Sequence, residues 1–120
     1  MLRLRAEQMI ALSGTALTRR IVVALSDRFP LETAAMTRAA LAALVRDAIG
    51  RAAAAGMRTE RQVMRYTVLA LLVRPDFETN EATTWAQPVL ADETLSAERK
   101  LSRLYALARR DGYDVGSARE

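Results

Sequence analysis

A chain of 120 residues is long enough to fold as one domain around one hydrophobic core. It contains neither Cys nor His, which excludes disulfides, thiol nucleophiles, imidazole bases and the common transition-metal ligand sets. Its net charge of +4 comes from 17 Arg and one Lys against 14 acidic residues, spread as +7 over residues 1–75, −5 over 76–95 and +2 over 96–120.

The opening segment carries Arg3, Arg5 and Glu7 within a few residues. No apolar run approaches the ~18 residues of a membrane span, and no secretory leader is recognisable. A cytoplasmic address is expected, with no membrane contact. The first helix is expected from Ala6 to Arg28, with Ile10, Leu17, Ile21, Ala24 and Leu25 at helical spacing. Phe29-Pro30 ends it, because proline pushes the residue before it out of the helical region. The second helix begins at Thr33 or Thr37 and runs to Ala55. Leu41, Leu44, Val45, Ala48, Ile49 and Ala52 form its stripe, and Gly56 supplies the left-handed stop.

Thr59 and Gln62 form a capping box that opens the third helix. Its expected apolar face is Val63, Tyr66, Leu69, Ala70 and Val73, and Pro75 closes it. An irregular acidic stretch follows, then a short helix from Thr84 to Leu90 with Pro88 in its first turn. The last helix starts at the N-cap Ser96 and runs to Arg110, with Gly112 as its stop and a loose tail from Tyr113 to Glu120. No segment alternates as a strand does. The fold class expected is all-α: a compact bundle of four main helices plus one short helix, with one helical domain over residues 1–112.

The acidic stretch holds Asp76, Glu78, Glu81, Asp92 and Glu93 with no Lys or Arg, and the only Trp, Trp85, sits within it. Trp is favoured at interface hot spots, although a lone Trp in a helical domain also serves as a lid on the core. Arg58, Arg61 and Arg65 lie one turn apart on what the stripe makes the solvent face of the third helix. They are either an opposite-sign contact for a partner or internal partners of Asp76 and Glu78. The candidate protein-binding set is Arg61, Arg65, Asp76, Glu78 and Trp85.

Other chemistries fare worse. Asp76 and Glu78 can pair as carboxylates, but their polar loop offers nothing apolar to raise a pKa. Lys100 reads as an ordinary surface lysine, and no catalytic residues, cofactor or metal are expected. Residues 76–87 superficially follow a calcium loop, yet Glu81 and Gln87 stand where that loop needs Gly and a bidentate Glu. The second and third helices have the rhythm of a helix-turn-helix, but its inward positions would fall on Gln62 and Arg65. Small residues at Ala42, Ala43, Ala52 and Ala53 would let a second copy approach the second helix closely.

Several short motifs recur in order: Leu4-Arg5-Ala6-Glu7-Gln8-Met9, Phe29-Pro30, Gly56 leading to Thr59-Glu60, and Arg65-Tyr66. Asp76-Phe77, Trp85-Ala86, Leu90 with Asp92, and Leu101 to Tyr105 follow. Together they resemble small all-helical bacterial proteins encoded beside type VI secretion spike and effector genes. Val73-Arg74-Pro75 departs from that pattern, which has a glycine-containing turn there. The resemblance implies a non-enzymatic protein-binding accessory: an adaptor or chaperone that holds a spike or effector protein, or an immunity-type protein that masks a toxin. A chaperone should show an apolar groove, whereas an immunity protein masking a basic site should turn its acidic patch outward. The alternative is a small nucleic-acid-binding or regulatory helical protein, and the oligomeric state stays open.

Overall fold

The computed structural model describes residues 16–115. Within them the chain is all-α. The expected start of the first helix, residues 6–15, and the motif at Leu4–Met9 lie outside the described residues.

Helix α1, Ala16–Arg28, turns Leu17, Ile21 and Leu25 inward at four-residue intervals. Phe29 leaves the helical region at φ −130°, as a residue before proline should. The chain does not simply loop there. Pro30 starts a separate five-residue helix, α2, Pro30–Ala34, whose Thr33 hydroxyl donates back to the Phe29 carbonyl at 2.9 Å. Thr33 is thereby used inside α2, and Thr37 caps α3 by accepting from the Ala40 amide at 3.0 Å.

Helix α3, Arg38–Ala54, buries Leu41, Leu44, Val45, Ala48, Ile49, Ala52 and Ala53. Gly56 adopts φ +98°; its amide reaches the Ala53 carbonyl and that of Met57 reaches Ala52. That pair of bonds is a Schellman motif, and it needs a residue without a Cβ penalty at position 56. The capping box at Thr59 and Gln62 then starts α4, Glu60–Leu72.

Helix α4 is the centre of the fold. It packs against α3 on one side and against α6, Ala97–Arg110, on another. Its buried surface is accordingly much broader than one stripe: Gln62, Val63 and every residue from Arg65 to Ala70 are buried. The solvent face expected for Arg58, Arg61 and Arg65 therefore does not hold for Arg65. The phase argument against a helix-turn-helix also falls, since positions 62 and 65 do point inward, filled by polar groups.

After Pro75 the acidic stretch is ordered. Phe77 is fully buried, with its ring centroid 5.2 Å from that of Tyr66. The Thr83 hydroxyl donates to the Phe77 carbonyl at 2.7 Å. A single 3-10 turn, Glu81–Thr83, leads into α5, Ala86–Ala91, which packs on α6. A second positive-φ glycine, Gly112, closes α6 with the same bond pattern, the Tyr113 amide reaching Ala108. The chain stays packed through Val115, which is buried, so the looseness expected from Tyr113 does not hold as far as Val115; the rest of the expected tail lies outside the described residues. Among the described residues no helix is long and apolar enough to cross a membrane.

Candidate functional site

The five residues expected to form one protein-binding set are placed in four separate environments. Arg65 is the clearest correction. Its side chain is only 5% exposed and meets Glu98 of α6 at 3.4 Å, with its guanidinium 4.9 Å from the Tyr105 ring centroid. Gln62 donates to the other Glu98 oxygen at 2.8 Å, and the Tyr105 hydroxyl donates to the Arg65 carbonyl at 2.7 Å. These bonds tie α4 to α6. The Arg65 Nε and Nη2 atoms are buried with no hydrogen-bond partner, a cost that the stacking on Tyr105 only partly offsets. Arg58 is also engaged, donating to the Ala53 and Met57 carbonyls at the end of α3. Arg61, in the first turn of α4, is exposed.

The two carboxylates of the acidic loop bond to neighbours within the fold. Asp76 takes a 3.0 Å bond from Arg74 and a 3.1 Å bond from Asn80. Hydrogen bonding from Asn80, then from Arg74, holds its carboxyl below the usual range. Glu78 is nearly buried; it accepts from the Tyr66 hydroxyl and faces Arg51 at 3.6 Å. Burial first, and then that bond to Glu78, push the Tyr66 phenol far above its ordinary value, so the phenol keeps its proton and donates to Glu78. The arginines that meet the acidic loop are thus Arg51 and Arg74, not Arg65. The loop is not wholly polar either, because Phe77 anchors it in the core. Its acidic groups point to different partners, and among the described residues no group of three is placed to hold a metal ion.

Trp85 lies between the two readings given to it. Its ring packs against the edge of the core, while its indole N–H donates to Asp111 at 2.9 Å, beside a cavity of about 360 Å³ lined by Leu107 and Arg110. Lys100 is no ordinary surface lysine: its ammonium donates to the Leu90 carbonyl at 2.9 Å and to that of Ala55 at 3.4 Å. One cation therefore joins the C-terminal ends of α3 and α5, where the helix dipoles are negative.

The open surface lies elsewhere. A groove of about 510 Å³ runs between α1, α2 and the start of α3, lined by Val22, Val23, Pro30, Ala34, Met36 and Leu41 among others. The large hydrophobic residues left exposed among the described residues are Val23, at 55%, and Leu31, at 84%. Val23 lines this groove and Leu31 sits on α2 beside it. The polar side chains along it are Ser26, Asp27, Thr33, Thr37 and Arg38, of which the two threonines are already bonded locally. Sequence reasoning missed this surface, although a signal existed. Val23 is out of phase with the Leu17–Ile21–Leu25 stripe, and Leu31 follows a helix-ending proline. Of the alanines expected to admit a second copy, Ala52 and Ala53 are instead covered within the chain itself, whereas Ala42 and Ala43 are half-buried.

No family model, no curated protein and no solved structure matches this chain.

Proposed function

We propose that this chain is a non-enzymatic accessory protein that binds another protein, on the adaptor or chaperone side. An apolar segment of the partner lies in the groove between α1, α2 and α3. The observation that carries this reading is the groove itself, with Val23 and Leu31 exposed beside it. An exposed apolar surface in an otherwise well-buried domain marks an interaction site. The immunity-type reading has less behind it, since Glu78 is nearly buried and Asp76 and Asp92 bond to neighbours within the fold, which leaves Glu81 and Glu93 as the unbonded outward carboxylates of the stretch. A nucleic-acid role would need α4 as the recognition helix, and α4 is enclosed by α3 and α6. The spike or effector context of the partner rests on the sequence resemblance alone.

The test is a photo-crosslinker in place of Leu31, with the chain expressed in its native host and the attached peptides identified. A secretion spike or effector peptide at Leu31, lost on Val23→Asp, supports the reading. Nucleic acid at that position, or only this chain, sinks it.

A further inference from the structure

We propose that the outer face of α6 is a second docking surface, which takes a short acidic segment of a partner protein with an apolar residue at one end. It is independent of the groove, since none of its residues lines that groove. Helix α6 buries Leu101, Leu104, Tyr105 and Ala108. With 3.6 residues per turn, Arg99, Arg103 and Arg110 fall within an arc of about 40° on the opposite side. All three are exposed, and among the described residues none has an ion-pair partner. Ala106 lies between Arg103 and Arg110 on the same arc and is exposed too, so nothing bulky interrupts the row.

The fold itself makes little use of these charges. Arg99 stands in the first turn of α6, where a cation opposes the helix dipole. Arg99 and Arg103 form a like-charge pair at i, i+4, which weakens a helix. Only Arg110, in the last turn, suits the dipole. Arg103 attracts Asp92 without forming an ion pair, and that carboxylate already accepts from the Thr94 amide and hydroxyl.

The row runs about 16 Å along the helix axis, the length of about five extended residues. At its C-terminal end Arg110 also lines the cavity of about 360 Å³ beside Trp85 and Leu107. There the indole N–H and Asp111 are already bonded to each other, so the cavity offers mainly the apolar surface of Trp85 and Leu107. An apolar side chain seats in it, next to Asp111, and the carboxylates that adjoin it run along the row from Arg110 to Arg99. A long polyanion fits less well. Asp111 follows Arg110 directly, and α5, which packs on α6, ends at Asp92. Phosphates continued past the row or across α5 meet those carboxylates, whereas a short segment stops before them.

The test is a titration of the full-length chain with an N-acetylated peptide of one leucine followed by four glutamates. Binding is read by the fluorescence of Trp85, the only Trp, and by calorimetry. Saturable binding that weakens with added salt is expected, and Arg99→Gln with Arg103→Gln should weaken it by about tenfold or more. That double variant should keep or raise thermal stability, since it removes the like-charge pair. A clear fall in stability makes the row structural and overturns the proposal. So does the absence of binding by both readouts at millimolar peptide, an all-glutamate peptide of equal length that binds as well, or a duplex DNA fragment that binds more tightly. Val23→Asp should leave peptide binding unchanged; a loss there places the peptide in the groove and also overturns it. The two readings fail separately. A chain that binds no peptide but crosslinks at position 31 to another protein loses this surface and keeps the groove. Peptide binding governed by the arginines, without that crosslink, does the reverse.

Discussion

The acidic end of the molecule and the groove end use their charges in opposite ways. Of the four carboxylates in residues 76–92 three are engaged, Glu78 with Tyr66, Asp76 with Arg74 and Asn80, Asp92 with Thr94, and Glu81 is exposed. At the groove Asp27 and Arg38 stand open beside exposed Val23 and Leu31. The end that is conspicuous in composition is thus the one closed by its own bonds. The difference teaches that a run of like charge without counter-ions in sequence can still find partners in space, here Arg51 on α3 for Glu78 and Arg74 just before the loop for Asp76.

The comparison breaks most visibly at Phe77. If the acidic loop is a built part of the core, Phe77→Ala removes a fully buried ring and lowers stability by about 3–5 kcal/mol in urea denaturation. A loss under about 1 kcal/mol would mean the loop is a surface appendage and its carboxylates are free after all. Lys100→Met is the next largest effect. It leaves the Leu90 and Ala55 carbonyls without their shared cation, and a loss of about 1–3 kcal/mol is expected. Lys100→Arg, which keeps the charge, should recover part of it.

Much of this architecture was legible in the sequence, and the reasons are local. Gly56 and Gly112 marked helix ends because only a residue free of Cβ strain takes their φ values easily. Thr59 with Gln62, and Ser96, announced helix starts because a side-chain oxygen must meet the orphan amides. What stayed hidden depends on tertiary packing. A single apolar stripe describes a helix with one covered face, but α4 is covered on several, so the stripe alone leaves Arg65 and Gln62 on the solvent side. Glu98 is the reason they can be buried, and it lies 33 residues beyond Arg65, where no periodicity connects them. The short α2 escaped because Phe29-Pro30 signals a helix end and, equally, a proline at the first position of a new one. Of the candidate site, the loop's anchoring role and the half-buried Trp85 are structural facts that composition could only point toward.

Arg65 offers a sharper contrast within the closed region. Its Nε and Nη2 are buried without partners, so the charge is held at a cost. Arg65→Met keeps the stem packed on Tyr105 and removes that cost. Glu98 is 58% exposed, so water can serve its carboxylate once the arginine is gone, and thermal stability should hold steady or rise. A fall comparable to that of Phe77→Ala would show the Arg65–Glu98 pair to be a net stabiliser.

The acid limb of stability tests the acidic end further. Asp76 and Asp92 both have carboxyls held below their usual 3.8, by Asn80 and Arg74 in the first case and by Thr94 in the second. A depressed folded-state pKa contributes stability that is present above the unfolded value and is lost as pH falls through the folded one. That contribution is therefore intact above 3.8 and disappears below it. Asp76→Asn should flatten the stability profile in that acid window and leave its shape near neutral pH unchanged. Urea midpoints followed from neutral pH into the acid range read the effect.

The smallest expected change in stability comes from the groove. Leu31 is 84% exposed, so Leu31→Asp removes little buried area and should shift stability by no more than about 0.5 kcal/mol. Val23→Asp, at 55% exposure, should behave similarly. Both should nonetheless weaken docking of a partner, since an aspartate carboxylate must be desolvated wherever an apolar segment covers it. A surface whose loss costs binding without costing stability is one the fold does not need for itself. If either substitution instead unfolds the chain, that residue is covered by the protein's own chain, and the contrast between the two ends disappears.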